Sequence, residues 1–161
     1  MKKLLASVLL LSAFVLSCSK KDEKCNFTDS TVVAPVSEVT SVHNYLSANG
    51  INAVQDPSGF YYKINTQGTG QEVVNLCSNV TVKYKGRLTN GTVFDSTGTD
   101  KTITVQLGTV IVGWQKGLPL INSGGNITLF IPPSLGYGPN PSGPIPANSI
   151  LIFDIDLVNV N

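Results

Sequence analysis

From residue 60 onward, apolar and polar positions alternate with a period of two. Phe60, Tyr62 and Ile64 alternate with Tyr61, Lys63 and Asn65. Val80, Val82 and Tyr84 alternate with Thr81, Lys83 and Lys85, and Ile103, Val105 and Leu107 with Thr102, Thr104 and Gln106. Ile127, Leu129 and Ile131 share one face, as do Leu151, Phe153, Ile155 and Leu157. Each run predicts a strand with one buried side. Asn90-Gly91 predicts a hairpin after the second strand, and successive hairpins predict an antiparallel sheet. Two stretches follow the helical period instead. Residues 41–49 carry Val42, Tyr45 and Leu46 on one face, with Gly50 as a stop. Residues 113–121 place Trp114, Leu118 and Ile121 together, so a short helix laid across the sheet would bury Trp114 between the layers. The fold class is α+β: a curved antiparallel sheet wrapped around a short α-helix, with a short N-terminal helical extension.

The first 17 residues follow neither period. Lys2 and Lys3 precede an almost wholly apolar run over residues 4–16, which has the length of a signal-peptide core. The run ends in Val15-Leu16-Ser17-Cys18, which resembles the lipobox of bacterial lipoproteins, in which the Cys thiol receives a diacylglycerol. The expected organisation is a lipoprotein signal at 1–17, a lipidated tether at 18–38 and a domain at 39–161. Lipid on Cys18 would anchor the protein to a membrane of the bacterial envelope, the outer membrane by preference, facing the periplasm or the surface. Ser19-Lys20-Lys21-Asp22-Glu23 resembles the Lys-plus-acid export signals of some Bacteroidetes lipoproteins, and reads equally well as a charged linker. Asp29-Ser30-Thr31 resembles an O-glycosylation pattern of the same phylum.

Composition narrows the chemistry. With 161 residues, 42% hydrophobic and 13% charged, the chain suits one folded domain and not a disordered one. A net charge of +1 gives no electrostatic case for nucleic acid, and loss of Lys2 and Lys3 with the signal leaves 9 basic against 10 acidic residues. The one histidine, His43, excludes a His-rich metal centre and lies off the apolar face of its helix, as a surface residue. Of the 3 cysteines, an acylated Cys18 leaves Cys25 and Cys77 as a pair for a disulfide outside the cytoplasm. That bridge would close a loop of about 51 residues and contribute roughly 3–4 kcal/mol in the chain-entropy model. Asp154 and Asp156 share a strand face opposite Phe153 and read as solvated surface, not as a paired-carboxylate site.

Six prolines fall between positions 132 and 146, interleaved with Gly136, Gly138 and Gly143 and carrying a lone Tyr137. Such a stiff loop before a final strand suggests the rim of a binding site. The ordered set Val80-x-Val82-x-Tyr84-x-Gly86-x-Leu88, Asn90-Gly91, Phe94-Asp95-Ser96, Leu107-Gly108, Val110-Ile111-x-Gly113-Trp114-x-x-Gly117-Leu118, Leu135-Gly136-Tyr137-Gly138 and Ile145-Pro146-x-Asn148-Ser149-x-Leu151-x-Phe153 resembles FKBP-type peptidyl-prolyl cis-trans isomerases. The resemblance runs from about residue 60 to 160. It implies a pocket between helix and sheet, with Tyr84, Phe94, Val110, Ile111 and Phe153 as apolar wall and Trp114 as floor. Asp95 and Tyr137 would be its polar groups, and the Ile111 amide a donor to ligand.

The implied reaction is rotation of Xaa-Pro bonds in exported or envelope proteins, which needs no nucleophile, metal or cofactor. The alternative within the same fold is a non-catalytic chaperone or adaptor module that binds proline-containing segments. The resemblance further implies FKBP-directed macrolides as ligands, and the chain reads as a monomer. Two departures stand out. Ile103 occupies a position where the family commonly has Phe. The loop over residues 97–102 lacks an Arg to pair with Asp95, leaving Lys101 as the cation nearest in sequence.

Overall fold

The computed structural model describes residues 25–161. The signal segment, the charged run at 19–23 and Cys18 lie outside the described residues. The chain forms α1 (Val36–Ala48), then β1 (Val54–Gln55), β2 (Tyr61–Thr66), β3 (Asn79–Leu88), β4 (Val93–Ser96) and β5 (Ile103–Gln106). After a 3-10 turn at Leu107–Thr109 come α2 (Val112–Gly117), a second 3-10 turn (Leu118–Leu120), β6 (Gly125–Ile131), a third turn (Pro133–Leu135) and β7 (Leu151–Val160).

The strands pair antiparallel in the order β1-β2-β6-β7-β3-β4. The sheet is antiparallel as expected, but its order is not one of successive hairpins: β7 returns to lie between β6 and β3. β4 and β5 share one edge of β3. β4 pairs with Lys85, Gly86 and Arg87, and β5 with residues 79–82. Register shifts at Ile64/Thr66, Thr81/Val82 and Gly86/Arg87 curl the sheet.

Alternation assigns the two faces. Ile127, Leu129, Ile131, Leu151, Phe153, Ile155 and Leu157 point into the concave face and meet Trp114, Leu118 and Ile121. This is the expected core. On the outer face, Tyr61, Phe130 and Ile152 are also buried, under Val42 and Leu46 of α1. The predicted polar side of β2 is therefore covered at Tyr61. Beyond α1 the outer face is polar: Asn126 Nδ2 donates to Asp156 (2.6 Å), Thr128 Oγ1 to Asp154 (2.9 Å), and Arg87 pairs with Asp154 at 3.5 Å.

The N-terminal helix begins at Val36, five positions before residue 41, and so includes residues 36–38 of the expected tether. Pro35 precedes it in extended conformation and Glu38 lies in its first turn, where a carboxylate suits the helix dipole. It ends as expected at Gly50, whose φ of 62° is left-handed. The Gly50 amide donates to Ser47 O and that of Ile51 to Leu46 O, a Schellman closure. His43 is exposed on this helix. Upstream, Cys25 is bonded to Cys77 with Cα atoms 5.6 Å apart, and the Phe27 ring lies against Gly108. Ala34 is buried and its amide donates to Ser58 O at 2.8 Å.

Candidate active site

β3, β4 and β7 meet at Gly86, which stands opposite both Asp95 and Phe153. A Cβ at Gly86 would lie 2.7 Å from the Phe94 ring and 2.8 Å from the Phe153 ring. Its absence lets those rings pack edge to face, with centroids 5.4 Å apart at 84°. Two residues earlier on β3, Tyr84 projects to the same concave side.

α2 brings Trp114 to this cluster. Gly113 and Gly117 face β6, where a Cβ would lie 2.6 Å from Ile131 and 2.7 Å from Leu129 respectively. The helix can therefore sit almost on the strand. Trp114, 5% exposed, lies edge to face with Tyr84 (5.2 Å, 82°) and with Phe153 (5.2 Å, 87°). Perpendicular packing of this kind suits the charge distribution of aromatic rings. The indole Nε1 is buried with no partner among the described residues.

Above Trp114 opens a cavity of ≈ 260 Å³. Tyr84 and Phe153 form its sides, Val110 and Ile111 its lip, and Asp95 and Tyr137 its mouth. Seven of the eight pocket residues expected from sequence therefore line one cavity. Phe94 stands one layer back, against Phe153, and lines an adjoining cavity with Asp95, Tyr137 and Pro144. Three further residues line it: Ile103, at the wall position where the family commonly has Phe, and Val105 and Thr109, which the resemblance does not place there. The β5 alternation marks Ile103 and Val105 as inward, but its inward side faces this cavity and not the closed core. Thr109 carries no sequence signal.

The polar groups are arranged around this apolar interior. Tyr84 Oη donates to Asp95 Oδ2 at 2.5 Å. Burial first, then this hydrogen bond and the Asp95 charge, push the Tyr84 phenol well above its ordinary value. The Tyr137 phenol is raised by burial and then by Asp95. Asp95 thus receives Tyr84, while Lys101 makes no ion pair with it among the described residues. Ile111 immediately precedes α2 in extended conformation (φ −60°, ψ 150°). Its carbonyl accepts from Trp114 N and Gln115 N, and its amide has no acceptor among the described residues. The Gln115 side chain donates to Val110 O at 2.8 Å, fastening the lip to α2. No group of three His, Cys, Asp or Glu side chains suited to a metal lies together among the described residues.

A family model described as FKBP-type peptidyl-prolyl cis-trans isomerase matches residues 70–158. The chain is 53% identical over 104 residues to an FKBP-type peptidyl-prolyl cis-trans isomerase FkpA from Buchnera aphidicola, covering 64% of this chain and 41% of that one. It is 44% identical over 122 residues to the outer membrane protein MIP of Legionella longbeachae, covering 72% of this chain and 51% of the relative. The chain thus spans about half the length of these curated relatives, or less. Among solved structures, FkpA from Escherichia coli superposes with a TM-score of 0.69 at 33% identity, over 78% of this chain and 60% of that one. Fold, ordered motifs and family match agree, and the chain belongs to the FKBP-type peptidyl-prolyl cis-trans isomerase family.

Proposed function

We propose that this chain accelerates cis-trans rotation of Xaa-Pro peptide bonds in exported or envelope proteins. The observation that carries the reading is the aromatic well above Trp114 with the unpaired Ile111 amide at its edge. An uncatalysed Xaa-Pro bond turns over a barrier of about 18–20 kcal/mol, because rotation breaks amide resonance. The planar amide is more dipolar than the twisted one, so water stabilises the starting state. A pocket of Tyr84, Val110, Ile111, Trp114 and Phe153, backed by Phe94, withdraws that stabilisation. Only interactions stronger in the twisted state raise the rate. In this reading the proline ring lies on Trp114 between Tyr84 and Phe153. The Ile111 amide and the Tyr137 hydroxyl hold the substrate backbone. Asp95 keeps the Tyr84 hydroxyl engaged at the mouth.

The test is a protease-free isomerisation assay on Xaa-Pro peptides, with and without an FKBP-directed macrolide. The expected result is acceleration that the macrolide suppresses and that falls by about one to two decades when one pocket aromatic, Trp114 or Phe153, is replaced. No acceleration at micromolar protein would replace this reading by the non-catalytic module that binds proline-containing segments.

The same reading makes the protein a monomeric envelope lipoprotein, with a signal at 1–17, lipid on Cys18 and a tether leading to the isomerase domain, whose helix α1 takes residues 36–38 from the expected tether. The Cys25–Cys77 disulfide supports placement outside a reducing cytoplasm. Several acyl chains hold a protein on a membrane stably without any basic patch.

A further inference from the structure

We propose that Glu38 is a positioning residue for the loop that presents Tyr137, so that α1, outside the curled core, sets the geometry of the pocket mouth. The proposal rests on the pocket reading above and adds to it a residue from the segment that sequence assigns to the tether. Glu38 Oε2 accepts a hydrogen bond from the Ser134 amide at 2.9 Å, across 96 residues of sequence.

The chemistry of that loop explains why this donor matters. Pro132 and Pro133 have no N–H, so Ser134 carries the first donor of the turn Pro133–Leu135. The first amides of a helical turn have no acceptor within it. Glu38 supplies one, and a carboxylate makes the stronger, charge-assisted kind of bond. The turn in its place fixes the backbone around Tyr137. Pro133 O accepts from both Gly136 N and Gly138 N, each at 2.9 Å, and these two residues flank Tyr137. Tyr137 itself is 43% exposed and makes no side-chain hydrogen bond among the described residues. Its position is therefore set by the backbone on either side.

At the far end of the loop Ile150 packs against the apolar cluster that holds Val42 and Leu46 of α1. Among the described residues, the Glu38 bond is the only hydrogen bond between α1 and residues 132–150. Beside it lies a cavity of ≈ 350 Å³ bounded by Ser41, Pro133, Asn148 and Ile150. One polar link thus spans an open seam, while α1 is held in place separately by Val42 and Leu46 on the outer face of the sheet.

The experiment compares wild-type protein with Glu38→Ala and Glu38→Gln, Gln retaining an acceptor oxygen at the same reach. Amide hydrogen exchange and isomerisation kinetics are both read. In Glu38→Ala, exchange at residues 134–138 is expected to rise about tenfold, the scale of a lost hydrogen bond to a charged group. kcat/KM should fall several-fold, α1 amides should be unchanged, and Glu38→Gln, which keeps the acceptor without the charge, should restore both readouts in part. Wild-type exchange at 134–138 in Glu38→Ala would overturn the proposal. So would faster exchange throughout α1, or failure of Gln to restore. Absence of isomerase activity in the wild-type protein would overturn the pocket reading instead, because exchange decides the Glu38 contact without it.

Discussion

At position 86 any side chain larger than hydrogen would stand inside two aromatic rings. The pocket depends on such single-residue conditions more than on any one chemical group. Tyr84 shows the electrostatic counterpart. Its phenol is raised by burial and by Asp95, so the folded protein favours the neutral form. Stability from that preference is complete below the unfolded phenol value, about pH 10, and is lost as pH rises from there through the folded value. Tyr84→Phe should therefore flatten the fall in melting temperature between about pH 9.5 and 11.5 relative to wild type. An unchanged slope would show that burial and the Asp95 hydrogen bond together do not hold the phenol neutral in solution. Most pocket residues were legible through the family resemblance, whose ordered motifs set Tyr84 before Gly86, Trp114 after Gly113 and Tyr137 between two glycines. Val105 was not, because a half-covered pocket wall and a closed core produce the same alternation. Phe94 was displaced by one layer, since sequence places it beside Asp95 without saying which ring, Phe94 or Phe153, stands in front.

At the scale of elements, α2 is six residues long with no side-chain cap, far below the length at which a helix persists alone. Packing holds it, and its glycines decide how close it comes to β6. Gly113→Ala tests this, because two effects oppose. Alanine favours the helix by about 1 kcal/mol, while a methyl 2.6 Å from Ile131 Cδ1 overpacks the interface at a cost of about 1–3 kcal/mol. The expected net result is lower stability in urea unfolding, with a loss of isomerisation as Trp114 is lifted. A gain in stability would show that α2 has room to spare. Five of the seven strands were readable from period alone; β1 and β4, two and four residues long, offer no alternation to read, and the helical run at 113–121 divides into α2 and a 3-10 turn. The start of α1 was not: of Val36 and Val39, set among Ser, Glu and Thr, Val36 stays exposed and only Val39 is half-buried, its packing depending on a sheet that forms some 90 residues later. Phe130 and Ile152, apolar on an otherwise polar face, were the available sign that something docks there.

For the whole molecule, the covalent constraint is the Cys25–Cys77 bond, which spans 52 residues of sequence. In the chain-entropy model a loop of this size contributes about 4 kcal/mol. Urea unfolding with and without reductant should differ by about that amount, and Cys77→Ser should reproduce the reduced protein and ignore reductant. Equal stability in both states would show that the unfolded chain gains no freedom from reduction. The bond also decides how the domain bears load. Tension arriving along the chain from its N-terminal side meets Cys25 first and passes through sulfur to Cys77, two residues before β3, the strand paired with three others. Residues 26–76, α1 and the Glu38 contact among them, then lie off the line of force. Once the bond is reduced, the same pull travels along the backbone, strips Phe27 from Gly108 and Ala34 from Ser58 in turn, and reaches α1 next. In mechanical terms the disulfide is a strain relief for residues 26–76: it hands a pull from the N-terminal side directly to β3 and leaves α1 and its contact with Ser134 unloaded.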